Sequence, residues 1–258
     1  EGTLERMKGN VGFIMGFQSM GENADEVLSA DVHVFRSSMH KILGGAGYVP
    51  RGIFFRAAHI AYANACGRQV GQRPIIVFSL HIANSSSVRS FLDDFERPKF
   101  LHMVREPVQT SGSHFKMLNM ENTLSPGSAR YCISVRFSSG EAVSPEAWSD
   151  SRAVQLESLH TEPESTLLAT CGWLGLEWNN SLLESTFNGL RFWNEPKSIR
   201  SSGFNPEIIR QAYAQYISNF DRYRLRMLFC RRFRAFGYYT EMNVARRQIV
   251  QILCFPSF

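Results

Sequence analysis

KFLHMVREPVQTSGSHF, residues 99–115, decides how the rest of the chain is read. A short apolar run, 99–104, has the length of a buried strand, and Arg105 follows it directly. Pro107 then suits the first position of a helix, because its fixed φ is pre-organised there and its missing N–H would have had no partner. A strand running into a helix in this way is half of a parallel α/β unit. In open α/β sheets, ligands bind at the carboxyl ends of strands, beside helix N-termini. Arg105 stands at such an end and can grip a phosphate with two parallel N–H bonds. Ser113, about two helical turns further on, can offer a hydroxyl to the same group.

Working outward, the pattern repeats. Residues 74–80 (PIIVFSL) form a continuous apolar run, expected as a strand buried on both faces. It ends at His81, whose ordinary pKa suits proton acceptance near neutrality, although a histidine capping a strand in the core is the plain alternative. Helices are expected over 22–43, closed by Gly44-Gly45, over 53–66, closed by Gly67, over 88–95 and from Pro107. A strand is expected at 11–15, a short one at 131–137 and another over 153–159. Helices follow at 163–174, 206–220 and 222–236. Strand–helix alternation of this kind implies right-handed crossovers and a parallel sheet, so the class is α/β.

The 258 residues suit a single domain over 1–258, with an irregular Ser/Gly/Pro-rich insertion at 120–150 and C-terminal helices at 205–237. The start, Glu1-Gly2-Thr3, shows neither an initiator Met nor a signal-peptide pattern, so the chain reads as processed or truncated. A formal net charge of +5 is a mild excess, compatible with an anionic ligand. Much of it lies in Arg222, Arg224, Arg226, Arg231, Arg232 and Arg234, which read as a solvated helix face or a partner-binding one. The five cysteines are scattered and odd in number, without a CxxC pair, which argues against a disulfide scaffold or zinc site and for a reducing, cytoplasmic compartment. No apolar run reaches the ~20 residues that span a bilayer. The histidines show no metal-ligand spacing, and no nucleic-acid partner is expected.

Several stretches together resemble the sulfotransferases. FLHMVREPVQTSGSHF (100–115) is similar to the family's 3′-phosphate-binding segment, an apolar strand followed by Arg-x-Pro and by a Ser eight places after the Arg. VFSLHIANSS resembles the strand end that carries the catalytic histidine of cytosolic members, and the match falls on His81. QLESLHTEPESTLLATCGWLGL (155–176) resembles the run of Glu-x-Leu, Pro-Glu, helix and Trp-Leu-Gly-Leu, and TFNGLRFWNEP (186–196) the loop that closes on the nucleotide. The likeness runs discontinuously from about residue 74 to 237.

The resemblance implies a P-loop-like three-layer fold with a central parallel sheet flanked by helices. It also implies 3′-phosphoadenosine 5′-phosphosulfate as sulfuryl donor, without a metal. Arg105 and Ser113 would hold the 3′-phosphate, Asn188, Gly189 and Arg191 would close over the nucleotide, and His81 would act as base toward a small-molecule or carbohydrate acceptor. The pattern departs from the family in two places. The loop that wraps the 5′-phosphosulfate is either Gly16–Gly21, where Glu22 and Asn23 replace basic and hydroxyl residues, or lost upstream. Ser79 stands where cytosolic members often have a lysine. Both departures leave open a catalytically silent relative, serving as a nucleotide-binding or assembly module. A kinase on a similar fold is disfavoured by the lack of GxxxxGK[ST].

Overall fold

The computed structural model describes residues 20–27, 29–72, 74–79, 85–120, 122, 125, 127, 150–193, 203–210 and 213–238. Its contacts group the chain into two compact units, Glu1–Leu80 with Trp178–Phe204, and His81–Glu177 with Asn205–Phe258. The expected strands at 11–15 and 131–137 and nearly all of the 120–150 insertion lie outside the described residues.

In the first unit, α1 (Val32–Leu43) begins where the Asp31 carboxylate accepts hydrogen bonds from the His33 and Val34 amides at 2.8 and 3.1 Å. Those amides would otherwise be unpaired at a helix start. The same two bonds lower the Asp31 pKa below the usual carboxylate range. The helix ends as expected at Gly44, whose left-handed φ of 59° is one that glycine adopts without strain. The expected helix over 22–43 starts ten residues late because the 20–26 segment pairs with itself, Met20 with Glu26. Helix α2 (Arg51–Ala65) buries Gly52, Ala57, Ala61 and Ala65, small residues that let α1 come close, and Asn64 donates to Ser38 across the pair at 3.3 Å.

Residues 74–79 correct a sequence expectation. They carry no strand pairing among the described residues, and Ile75 and Val77 are 65% and 85% exposed. An apolar run needs hydrogen-bonding neighbours on its edges as well as covered faces to be a central strand. Here Ile76 is half-buried, and the exposed Phe78 meets the rings of Phe55 and His59 at 5.1 and 6.0 Å.

The second unit is α/β. Helix α3 (Ser85–Asp94) precedes β1 (Phe100–Val104), and α4 (Pro107–Met120) follows it. Strand β2 (Ser151–Gln155) lies parallel to β1 in a register that pairs Phe100 with Ser151 and Val104 with Gln155. Among the described residues this parallel pair is the whole of that sheet. The strand expected over 153–159 stops at Gln155 because β1 ends opposite it, and the chain turns into α5 (Leu156–Thr161). Helix α6 (Pro163–Leu174) matches its expected bounds, with Pro163 at its first turn and Gly175 left-handed at its end.

The expected helix over 206–220 is broken into α7 (Glu207–Arg210) and a 3-10 turn, Tyr213–Tyr216. Ser218 explains the break. Its hydroxyl accepts from the Asp221 amide at 3.1 Å and donates to the Asp221 carboxylate at 2.7 Å. That capping box starts α8 (Asn219–Ala235) inside the stretch read as one helix. Leu225 and Phe229, one turn apart on α8, join Val108 of α4 and Ile217 in the buried core, with Phe115 and Tyr238 packed against it. Arg224 pairs with Asp221 at 3.1 Å, while Arg226 and Arg234 are exposed, so this much of the arginine run faces solvent. No described helix is long and apolar enough to cross a membrane.

Candidate functional site

The carboxyl ends of β1 and β2 open onto a cluster of polar side chains, all within the second unit. Arg105 leaves β1, and Glu106 caps the helix that follows. The Glu106 carboxylate accepts from the Gln109 amide at 2.6 Å, and its carbonyl accepts from the Thr110 amide and hydroxyl at 2.9 and 3.0 Å. The Glu106 amide donates to Glu157 Oε1 at 2.9 Å. Glu157 stands in the first turn after β2, and its Oε2 accepts from the Tyr238 hydroxyl at 2.6 Å. Burial first, then the bond to that carboxylate, pushes the Tyr238 phenol far above its ordinary pKa, so it stays a donor. One carboxylate thus ties the β1–α4 junction to the C-terminal segment that seals the core.

His160 lies one helical turn beyond Glu157, and its Nδ1 accepts from the Asn205 amide at 2.9 Å. Burial, and then the Arg105 charge nearby, lower its pKa. Because Nδ1 accepts the Asn205 bond, the ring carries its proton on Nε2.

Arg105 itself is half-buried. Among the described residues its guanidinium makes no ion pair or hydrogen bond, and its contact is the face of Tyr213, 5.1 Å from the ring centre. Lys116 reaches the same ring at 5.5 Å. Tyr213 is held there by its backbone, because its carbonyl oxygen lies 2.2 Å from where a side-chain carbon on Gly112 would sit. Only glycine admits that approach. Gly112→Ala is therefore expected to destabilise the protein by about 1–3 kcal/mol, the usual range for overpacking. Alanine is ordinarily the better helix residue by ~1 kcal/mol, so urea unfolding that shows an unchanged or stabilised variant contradicts the contact.

Ser113 is half-buried, about 9 Å along the α4 axis from Pro107. Its hydroxyl has no hydrogen bond among the described residues. Arg105 touches the Tyr213 ring, and Gly112, the residue before Ser113, lies against the Tyr213 backbone. Two residues earlier on α4, about half a turn away, Ser111 is 3% exposed and its hydroxyl is buried without a partner among the described residues.

The other expected site residues that are described lie in the first unit. Asn188 and Gly189 form a two-residue hairpin turn between β3 (Thr186–Phe187) and β4 (Leu190–Arg191) in the first unit, with φ of 51° and 80°. Positive φ at both central positions is the type I′ geometry that Asn-Gly favours. The Asn188 amide donates to the Tyr62 hydroxyl at 2.7 Å. Arg191 pairs with Glu22 at 2.5 Å and stacks on Trp193, whose Nε1 donates to the Gly21 carbonyl at 2.7 Å. Of the Gly16–Gly21 loop, Met20 is fully buried and the Gly21 amide donates to the Arg191 carbonyl at 2.9 Å; the rest lies outside the described residues, as does His81. Ser79, two residues before His81, is exposed.

Sequence reasoning passed over Tyr213 and Lys116 as site residues and took Glu157 only for a structural or orienting carboxylate. The spacing of Lys116, three places after Ser113 on one helix face, was the available signal for it. Tyr213 sits in an irregular segment whose position no local pattern reveals.

No family model matches the chain, and no curated protein matches it. Among solved structures, it is similar to the sulfotransferase domain from the curacin biosynthetic pathway, at 11% sequence identity and a TM-score of 0.41 over 89% of each chain.

Proposed function

We propose that the protein is a sulfotransferase, moving a sulfuryl group from 3′-phosphoadenosine 5′-phosphosulfate to an acceptor hydroxyl or amine. One observation carries the reading. At the end of a parallel strand stands a guanidinium with no ion pair or hydrogen bond among the described residues, and a hydroxyl likewise unbonded stands on the helix that follows. A buried or half-buried cation without a counter-charge is costly unless a ligand supplies one. The donor's 3′-phosphate fits that need, with Arg105 gripping two oxygens and Ser113 donating to a third.

His81 takes the proton of the acceptor as its oxygen or nitrogen attacks sulfur. The bond between sulfur and the 5′-phosphate oxygen breaks, and its electron pair leaves on the phosphate of adenosine 3′,5′-bisphosphate. The Asn188-Gly189 turn is not needed for this reading. The acceptor is a small molecule or a carbohydrate.

A second reading, nucleotide binding without transfer, has its own support. Glu106 fills the α4 N-terminus with a carboxylate, and the Gly21 amide is already bonded to Arg191, so neither is open to a phosphosulfate. The two readings share one first test. Adenosine 3′,5′-bisphosphate at a hundred times its Kd should stabilise the protein by about 2.7 kcal/mol, with AMP and ATP giving less. A larger shift with ATP and Mg²⁺, or no shift with the bisphosphate, contradicts both. Binding with no sulfuryl transfer to any acceptor offered selects the second.

A further inference from the structure

We propose that Lys116 and Tyr213 complete the anion site of Arg105. Lys116 supplies a second cation, and the Tyr213 ring is the wall that keeps the two charges together until a phosphomonoester dianion arrives. The proposal rests on the reading of Arg105 as a phosphate-binding residue, and it extends the site to two residues outside the sequence resemblance.

The geometry has an imbalance that an anion would correct. Arg105 and Lys116 approach one aromatic ring, at 5.1 and 5.5 Å from its centre. Two like charges brought to a shared neighbour repel, and a ring face is a weak partner for either. No described carboxylate pairs with them. Glu106 is bonded to the Gln109 amide, and Glu157 to the Glu106 amide and the Tyr238 hydroxyl. Among the described residues neither cation has an ion pair; Arg210 pairs with Glu207 and Arg224 with Asp221.

Helix geometry adds the third wall. Lys116 is one turn beyond Ser113 and four residues beyond Gly112, where the Tyr213 carbonyl lies against the helix. Arg105 and Lys116 therefore border the same tyrosine, and Ser113 stands one turn before Lys116 on α4. A phosphomonoester offers two negative charges and three acceptor oxygens, enough to serve both cations and the hydroxyl. A phosphodiester, with one charge, would leave a cation unmatched.

The test is calorimetry with adenosine 3′,5′-bisphosphate on the full chain, with thermal melting to show that each variant folds. Lys116→Gln is expected to weaken binding about tenfold or more, the loss typical of a charge-assisted hydrogen bond. Lys116→Arg should stay within about threefold of wild type, and Tyr213→Leu, which removes the wall, should weaken binding about threefold. Lys41→Gln on α1 removes the same net charge elsewhere and should change nothing. If Lys116→Gln binds as wild type while Arg105→Ala does not, or if Lys41→Gln is equally weakened, the proposal is overturned and the role of Arg105 stands. If wild type ignores the bisphosphate yet binds inorganic pyrophosphate in a Lys116-dependent way, the anion site stands and the sulfotransferase reading falls. Binding of neither probe removes both.

Discussion

Arg105→Ala is expected to weaken binding of adenosine 3′,5′-bisphosphate about a hundredfold, a loss of about 2.7 kcal/mol, measured by titration calorimetry. The dominant loss is that of contacts to the phosphate itself. The variant loses two charge-assisted bonds to the phosphate. The contact with the Tyr213 ring is lost as well, but that is worth only about 0.5–1 kcal/mol and bears on stability more than on affinity. Arg105→Lys should fall between the two, because an ammonium keeps the charge and gives up the planar fork. A Kd for the alanine variant equal to that of wild type removes Arg105 from the site.

The second large effect belongs to His81. If it takes the proton from the acceptor, His81→Ala should lower turnover about 10²–10⁴-fold and leave bisphosphate affinity nearly intact. The separation of the two readouts matters. A histidine that only packed a strand end would change stability and binding together, whereas a base changes the chemical step alone. The pH profile offers an independent check on wild type: kcat should fall on acidification, because a protonated imidazole can no longer accept a proton. Unchanged turnover in the alanine variant ends the role of His81.

What was legible in the sequence was legible because its cause was local. Gly44 after an apolar-periodic run, Pro163 and Gly175 around α6, and the Asn188-Gly189 turn each announce a backbone geometry within four residues, whereas the Asp31 cap was passed over for a helix start at 22. The strand–Arg105–Pro107 junction belongs with them, and it lies where it was expected, at the end of a parallel strand. The candidate site was legible to the same extent, as Arg105 and Ser113 on successive elements.

The remainder depends on partners far away in the chain. Residues 74–79 have the composition of a buried strand, and whether they are one is decided by neighbours that composition does not name. The bond from Tyr238 to Glu157 spans 81 positions. The seat of Tyr213 against Gly112 depends on a glycine that looks, by its neighbours, like a mere weak spot in a helix. The cap at Ser218 was not read from the sequence, where periodicity makes 206–220 one helix.

The claim on which all of this turns is that one phosphate is held jointly by Arg105 and Ser113. A double-mutant cycle measures that directly, using the affinities for adenosine 3′,5′-bisphosphate of wild type, Arg105→Ala, Ser113→Ala and the double variant. Groups that share a partner are coupled, so the double variant should lose less than the two single losses together, by at least about 0.5 kcal/mol. Losses that add within that margin would mean that the two side chains serve separate partners, and the phosphate site as described here would not exist.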